Sequence, residues 1–374
     1  MLDDITRAVL SREEVSRYLQ GGRGESSAQA RERVFAYLEE LRTTQRYAIY
    51  RALKHPLYPI LRKIERRCEH VDIVRRATEA GHVVYVSNHK SHIDYLIEPL
   101  VLDDHGIRPP IIAAGINLFG GPLGLINRHV TGALPIRRNT KDPAYLITLK
   151  AYVAELLSRH DLLFYIEGGR SYSGELKPPK TGLIHAALQA DRREITVVPC
   201  AIAYDLVLED HVLARQGTKR TQRPFSRELA EMVRYAVGYR SRAFVTFGEP
   251  IDIEHCDPHS RRDVLELAHR IRDAIGRIVK VLPSSLVATA MKPSISIRDL
   301  EARVAELIEV LGTSGANLDS TDAGDAVDSA VRAFTARGVL VSEGGRIRIR
   351  ERAVLRYYAR TVEHLLHAPG SRTH

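Results

Sequence analysis

The stretch Val83-Val84-Tyr85-Val86-Ser87-Asn88-His89-Lys90-Ser91-His92-Ile93-Asp94-Tyr95-Leu96 constrains the fold more than any other part of the chain. Its first four residues, apolar and largely β-branched, read as a buried strand. A polar run ends the strand, and Ile93, Leu96 and Ile97 begin a helical apolar spacing. This order predicts His89 on the turn leaving a strand and Asp94 near the first turn of a helix. Ligands of α/β sheets gather at such strand ends. An imidazole placed there and oriented by a carboxylate can act as a general base towards a hydroxyl. A solvent-exposed histidine and a helix-capping aspartate would leave the same letters, and His92 competes with His89 for the role. The rest of the chain has to decide between these readings.

The chain has 374 residues, 44% hydrophobic and 27% charged, as an ordinary globular protein has, and that length suggests one large domain with appendages. Its 55 basic and 46 acidic residues leave a net charge of +9, which favours an anionic partner: lipid surface, phosphorylated substrate, acidic carrier protein or nucleic acid. Cys68, Cys200 and Cys256 form no metal or disulfide pattern and fit a reducing cytosol. The opening Met1-Leu2-Asp3-Asp4 lacks the basic and apolar regions of a signal peptide.

Residues 1–80 read as a helical N-terminal segment. The run from Glu32 to Leu61 has one apolar face broken by Pro56 and Pro59, Arg62, Lys63, Arg66 and Arg67 form a basic solvated helix face, and Asp72–Ala80 is a short helix closed by Gly81. From Pro109 to Asn127 no residue is charged, but three prolines and four glycines argue against a membrane-spanning helix. Ile111–Ala114 reads as a strand there, and the remainder as a turn and short helix, either plain core or a patch facing a membrane. Strands alternating with helices over 81–283 predict an α/β sandwich. Ile195–Tyr204 is one strand, with Pro199 marking an edge or bulge, and Ala243–Phe247 is the last. Arg215–Arg227 is a basic loop. Residues 284–374 read as a separate unit: a helix capped by Ser296, a second helix to Arg337, a hairpin turned at Glu343-Gly344-Gly345, and a final helix Glu351–Leu366. Helix, hairpin and positive charge could suggest a winged nucleic-acid module, but no RNA or DNA motif accompanies them, and no nucleic-acid partner is expected.

Two further stretches carry anion-binding chemistry. Gly132-Ala133-Leu134-Pro135-Ile136-Arg137-Arg138 is a strand ending in guanidinium groups, whose forks match phosphate oxygens. In Leu162–Ser171 a strand runs into Glu167-Gly168-Gly169-Arg170-Ser171; the glycines let backbone amides approach an anion, and Glu167 could orient Arg170. Lys177 and Lys180 add cations before the helix Thr181–Gln189, whose N-terminus is a plausible phosphate site. The spacing of a Walker loop is absent.

Asn88-His89-Lys90-Ser91-His92-Ile93-Asp94, Gly132–Arg138, Phe164–Ser171 and Val198-Pro199, in this order and spacing, resemble the four acyltransferase blocks of the glycerolipid acyltransferases. Within that superfamily the chain is most similar to the bacterial glycerol-3-phosphate acyltransferases, over about 80–255. Lys90 stands where arginine is usual, Pro135 interrupts an aromatic or aliphatic run, and the chain is shorter at its N-terminus than many bacterial members.

The resemblance implies a mixed-sheet α/β acyltransferase sandwich in which His89, held by Asp94, deprotonates the sn-1 hydroxyl of glycerol 3-phosphate. The alkoxide then attacks the thioester of acyl-CoA or acyl carrier protein directly. It assigns Arg138, Arg170 and Lys180 to the acceptor's phosphate, with Glu167, Gly168, Gly169 and Ser171 in the same pocket, and Pro199 to the acyl-donor channel. Neither a metal nor a cofactor beyond the thioester is expected. Dihydroxyacetone phosphate or lysophosphatidate could replace the acceptor, and a non-catalytic module using its charge for anionic lipid or nucleic acid is the remaining alternative. The expected setting is cytoplasmic, peripheral on the inner face of the plasma membrane.

Overall fold

Seven strands form one mixed sheet in the order β1-β7-β6-β2-β5-β3-β4. They are β1 (Ile64–Glu69), β2 (His82–Ser87), β3 (Ile111–Gly115), β4 (Ala133–Ile136), β5 (Leu162–Tyr165), β6 (Ile195–Tyr204) and β7 (Ser241–Phe247). The structure is a computed structural model and describes residues 4–21, 25–57, 64–191, 193, 195–216 and 241–366. Arg62, Lys63 and the part of the basic loop from residue 217 to 227 lie outside the described residues. Strand β2 is central, parallel to β5 through Val84↔Leu162 and to β6 through His82↔Ile195. Strand β3 is parallel to both β5 and β4, so β2 to β6 all run one way; β7 is antiparallel to β6, and β1 is parallel to β7. The C-terminal ends of β2, β3, β4, β5 and β6 therefore meet at one edge of the sheet.

Strands β2 to β6 carry no charged side chain except His82 at the start of β2, because both faces of this part of the sheet are covered. On β2, Val83 and Tyr85 join one core while Val84 and Val86 join the other, the period of two that a strand imposes. Helices Val71–Ala80, Asp94–Asp104 and Pro283–Ala290 cover the first face; Ser27–Leu41, Pro143–Leu157 and Arg261–Ile278 cover the second. Each buried aliphatic side chain in these layers contributes roughly 1.5–3 kcal/mol relative to exposure. Helix starts follow the capping residues: Ser26 forms a capping box with Gln29, Asp142 precedes Pro143, and Ser260 and Ser296 each accept a backbone N–H.

The structure corrects the all-helical reading of residues 1–80. Ile64–Glu69 is an edge strand paired with β7, so Arg66 and Arg67 lie on a strand, and Arg66 is paired with Asp104. The helical run after Glu32 breaks at Arg42–Arg46 instead; the next helix, Tyr47–Leu57, includes Pro56, and Pro59 lies outside the described residues. Thr43 donates to the carbonyls of Arg128 and Ala133, and Gln45 bridges Thr131, which covers the open side of β4. Pro199 is likewise inside a central strand, not on an edge. Its carbonyl accepts from Gly248 where β7 leaves the sheet, so the missing N–H falls at the end of the β6–β7 pairing.

The hairpin expected near the C-terminus gains a third strand. β8 (Ser294–Ser296), β9 (Leu340–Glu343) and β10 (Arg346–Ile349) pair antiparallel, with β10 in the middle. The expected final helix divides into Arg352–Arg360 and Glu363–Leu366. This unit has its own sheet but shares its core with the α/β layer. Leu286, Leu300, Phe334, Tyr357 and Tyr358 belong to the cluster that contains Val83, Tyr85 and Leu96. The Tyr358 hydroxyl accepts from Val207 N (2.9 Å) and donates to Asp210 (2.8 Å), and Arg337 binds Asp210 and the carbonyls of Val207 and Leu208.

Candidate active site

The chain turns sharply after β2, and helix Asp94–Asp104 starts at Asp94 itself. The Asp94 carboxylate is 0% exposed and fully used. Its Oδ2 accepts from His89 Nδ1 (2.8 Å), Lys90 N (2.7 Å) and Ser91 N (2.9 Å); its Oδ1 accepts from the Tyr204 hydroxyl (2.7 Å). The carboxylate thus fixes both the tautomer and the tilt of the imidazole, leaving Nε2 to meet a substrate proton. The His89 ring stacks on Tyr165, with centroids 4.0 Å apart and planes 11° from parallel. Burial pushes the imidazole down to about 4; the Asp94 bond opposes that shift and the charge of Arg170 adds to it. A base held neutral across physiological pH, with one nitrogen anchored and 8% of the residue still exposed, suits proton abstraction from a hydroxyl.

Buried side-chain bonds to backbone hold the loop that carries this dyad. Asn88 bridges both the N–H and the carbonyl of Ile202 (2.8 and 3.0 Å). Glu167 accepts from His89 N (3.0 Å) and Lys177 N (3.3 Å), and burial raises its carboxyl above the usual range. Glu167 therefore positions the histidine loop rather than Arg170. Ser171 donates its N–H to the His89 carbonyl (2.8 Å) and its hydroxyl to Glu175 O (2.6 Å), so its side chain is committed inside the loop. Lys90 turns away from the histidine: its ammonium is buried on Gly174 O (2.6 Å), and its carbonyl accepts from Tyr357 (3.4 Å). Gly174 has φ +88°, and a Cβ there would lie 1.9 Å from the Tyr357 carbonyl oxygen, so the C-terminal helix sits directly on this loop.

The anion-binding candidates come from three other strand ends. Arg138, past β4, rests its guanidinium against Gly115 at the end of β3, where a Cβ would be 3.0 Å from it; Gly169 faces it from the loop after β5. Much of Arg138 is open to solvent, yet the partial burial of its guanidinium and the nearby Arg170 charge lower its proton affinity. Arg137 points elsewhere, paired with Glu40 and stacked on Tyr37, so the two adjacent arginines divide into one structural and one free for the site. Arg170 is 7% exposed, lies over the Tyr172 ring and reaches Glu209 at 3.5 Å. Gly168, at φ +66°, packs against the stem of exposed Lys180; Lys177 is tied to the Arg170 carbonyl instead. The helix after Lys180 spans only Gly182–Ala187, shorter than the expected Thr181–Gln189. Pro199 is buried beside Val86, three residues before His89.

Sequence reasoning missed Glu209, Tyr204, Tyr165 and Glu98. Glu209 accepts from the Ser91 hydroxyl (2.9 Å) and His92 N (2.7 Å), which ties the competing histidine's backbone to a buried carboxylate. Glu98 lies one helical turn after Asp94, fully buried, with Ser87 donating to Oε1 (2.5 Å). Only the period-two pattern of β6 could have pointed to Tyr204; Glu209 is 118 residues from Ser91 and leaves no local signal.

The Acyltransferase family model matches residues 56–203. The chain is 37% identical over 241 residues to the glycerol-3-phosphate acyltransferase of Actinobacillus succinogenes, an alignment covering 62% of this chain and 30% of that protein. It is 31% identical over 338 residues to the Haemophilus ducreyi glycerol-3-phosphate acyltransferase, covering 81% of this chain and 42% of that one, and 39% identical over 194 residues to that of Pasteurella multocida, covering 50% and 24%. The chain thus spans between about a quarter and two fifths of the length of these curated relatives. The resemblance to bacterial glycerol-3-phosphate acyltransferases holds over the matched region, which contains the His89–Asp94 pair, Arg138 and Arg170.

Proposed function

We propose that the chain is an O-acyltransferase that moves a fatty acyl group from the thioester of acyl-CoA or acyl carrier protein to the sn-1 hydroxyl of glycerol 3-phosphate, giving lysophosphatidate for phospholipid synthesis. The observation that carries this reading is a buried, carboxylate-anchored imidazole at the end of β2, with Arg138 and Arg170 at the ends of the neighbouring loops. His89 Nε2 takes the hydroxyl proton while the alkoxide oxygen bonds to the thioester carbonyl carbon. The tetrahedral intermediate then expels the thiolate, which recovers the proton from the imidazolium. Asp94 stabilises that imidazolium without being protonated itself. Arg138, Arg170 and Lys180 hold the acceptor phosphate, and Pro199 contributes to the donor side. The chemistry draws on these side chains and the thioester co-substrate alone.

Attachment to an anionic membrane surface belongs to the same reading. Among the described residues no helix is long and apolar enough to cross a membrane. The uncharged stretch divides in two: Ile111–Ala114 is core, while Ile116 and Leu125 (64% exposed) stand on the surface after β3. With the net charge of +9, that surface supports peripheral binding.

The test is acyl transfer by purified protein with glycerol 3-phosphate, dihydroxyacetone phosphate and lysophosphatidate, each against acyl-CoA and acylated carrier protein. Acceptor-dependent thiol release with glycerol 3-phosphate, lost in His89→Ala, is expected. Preference for either other acceptor would move the assignment to that substrate, and no transfer to any would refute it.

A further inference from the structure

We propose that Glu209 is a positioning residue for the acceptor, fixing the spacing between the arginine that grips its phosphate and the loop that carries the base. This rests on the reading of the site given above. Glu209 is 0% exposed and lies just past β6, on the strand-end loop beside β2. One carboxylate oxygen lies 3.5 Å from Arg170 Nη1, and the same oxygen accepts from His92 N at 2.7 Å; both oxygens lie 2.9 Å from the Ser91 hydroxyl. A single anion therefore connects the guanidinium to the two residues that separate Lys90 from Ile93 in the dyad loop.

The segment bearing Glu209 is itself tied to the C-terminal unit. Asp210 is held by Tyr358 and Arg337 from the C-terminal unit, and Arg337 also binds the carbonyls of Val207 and Leu208. Arg170 meets the Tyr172 ring and hydroxyl on another side, so its fork is oriented before any ligand arrives. A non-reacting phosphate held by that fork places the hydroxyl at a set distance from His89, which is where precise spacing raises turnover. Charge neutralisation alone would act in the opposite sense: with Glu209 uncharged the pocket becomes more positive and anions bind more tightly.

The full chain and Glu209→Gln are titrated with glycerol 3-phosphate by calorimetry without donor, with glycerol as control, and both are assayed at steady state. Positioning predicts about tenfold weaker binding, a matching rise in acceptor KM and a donor KM within twofold of wild type. In an Arg170→Gln background, Glu209→Gln should add less than a twofold further loss, because it acts through that arginine. Unchanged or tighter binding, or losses that multiply in the double variant, would overturn the proposal. Should Glu209→Gln not fold, Ser91→Ala, which releases one side of the carboxylate, is read by the same titration: at least threefold weaker binding supports the proposal, and wild-type binding overturns it. Failure of the wild-type chain to bind glycerol 3-phosphate above glycerol would instead take down the functional reading itself, and this inference with it.

Discussion

Glu98 offers the sharpest quantitative test of the site's architecture, because burial moves its carboxyl far from its ordinary range. It is enclosed by Asp94 on its own helix, Ser87 of β2, Tyr165 of β5, and Cys200 and Tyr204 of β6. Burial first, and the Asp94 charge second, push the carboxyl up to about 8 against an ordinary value of 4.5; the Ser87 hydroxyl offsets part of this. The Tyr165 hydroxyl is the other polar group that acts on the carboxyl, and it too offsets part of the shift. The folded state therefore keeps a proton that the unfolded chain has lost between about pH 4.5 and 8. Stability contributed by that proton is intact below pH 4.5 and falls as pH rises through the window, by at most ~1.36 kcal/mol per unit.

Glu98→Gln keeps the shape and an acceptor for Ser87 but cannot titrate. Its advantage over wild type should grow by about 2 kcal/mol between pH 6 and pH 8 and level off above. Taking ~2.1 cal/mol/K of unfolding entropy per residue over 374 residues, that is a Tm difference growing by about 3 °C. The chain has no tryptophan, so far-UV circular dichroism during urea or thermal unfolding at several pH values is the assay. Parallel stability curves for the two proteins from pH 6 to 8 would refute the claim that the buried Glu98 carboxyl is held neutral.

Other expectations follow from the same geometry. His89→Ala should lose ~100- to 10,000-fold in turnover while His92→Ala keeps most of it, and a fully active His89→Ala would remove the base assignment. Because the imidazole is held neutral down to about pH 4, the acid limb of kcat/KM should lie well below the ordinary histidine value of 6.5, and a limb at 6.5 would contradict its burial. Arg138→Ala and Arg170→Ala should chiefly raise the acceptor's KM by roughly tenfold to over a hundredfold, with Arg170→Lys restoring only part of it; a rise confined to the donor's KM would move both arginines to the carrier site. Flotation with anionic vesicles should weaken as salt rises, since screening shortens to about 3 Å at 1 M, and salt-independent retention would exclude an electrostatic mode.

The sheet and the dyad were legible because their signals are local. An apolar run buried on both faces, a polar turn and a helical spacing fit within the fourteen residues from Val83 to Leu96, and the structure keeps that order as β2, turn and helix. Strand β1 was not legible: Ile64-Glu65-Arg66-Arg67-Cys68-Glu69 carries four charged residues, and as an edge strand it is held by backbone pairing with β7, which leaves no apolar alternation. Lys90 misleads as well. It stands where the resemblance leads one to expect arginine, and its neighbour His89 gives no hint that its ammonium ends on Gly174 beneath the C-terminal helix. Glu167 was assigned to the near arginine by sequence distance, whereas the fold brings His89 N to it across parallel strands.

What these differences share is where the polar side chains go. Asn88, Asp94, Glu167, Ser171 and Glu209 all spend hydrogen bonds on backbone: Asp94, Glu167 and Glu209 accept from the N–H groups of residues 89–92, Asn88 ties that loop to Ile202 of β6, and Ser171 bonds within its own loop. A buried carboxylate bonded to backbone N–H groups costs less to desolvate than an unpaired one and fixes a loop that apolar packing alone would leave free to shift. The loops after β2, β5 and β6 thereby converge on one imidazole, so its position is over-determined before substrate arrives. Under the proposed function, pre-set geometry of this kind would let a weakly basic, buried histidine work as a base, since the encounter with the hydroxyl then requires little reorganisation. The C-terminal unit belongs to that scaffold through Tyr357 on Lys90 and Tyr358 on Asp210, which makes it part of the site's support even though it supplies no group to the proposed chemistry.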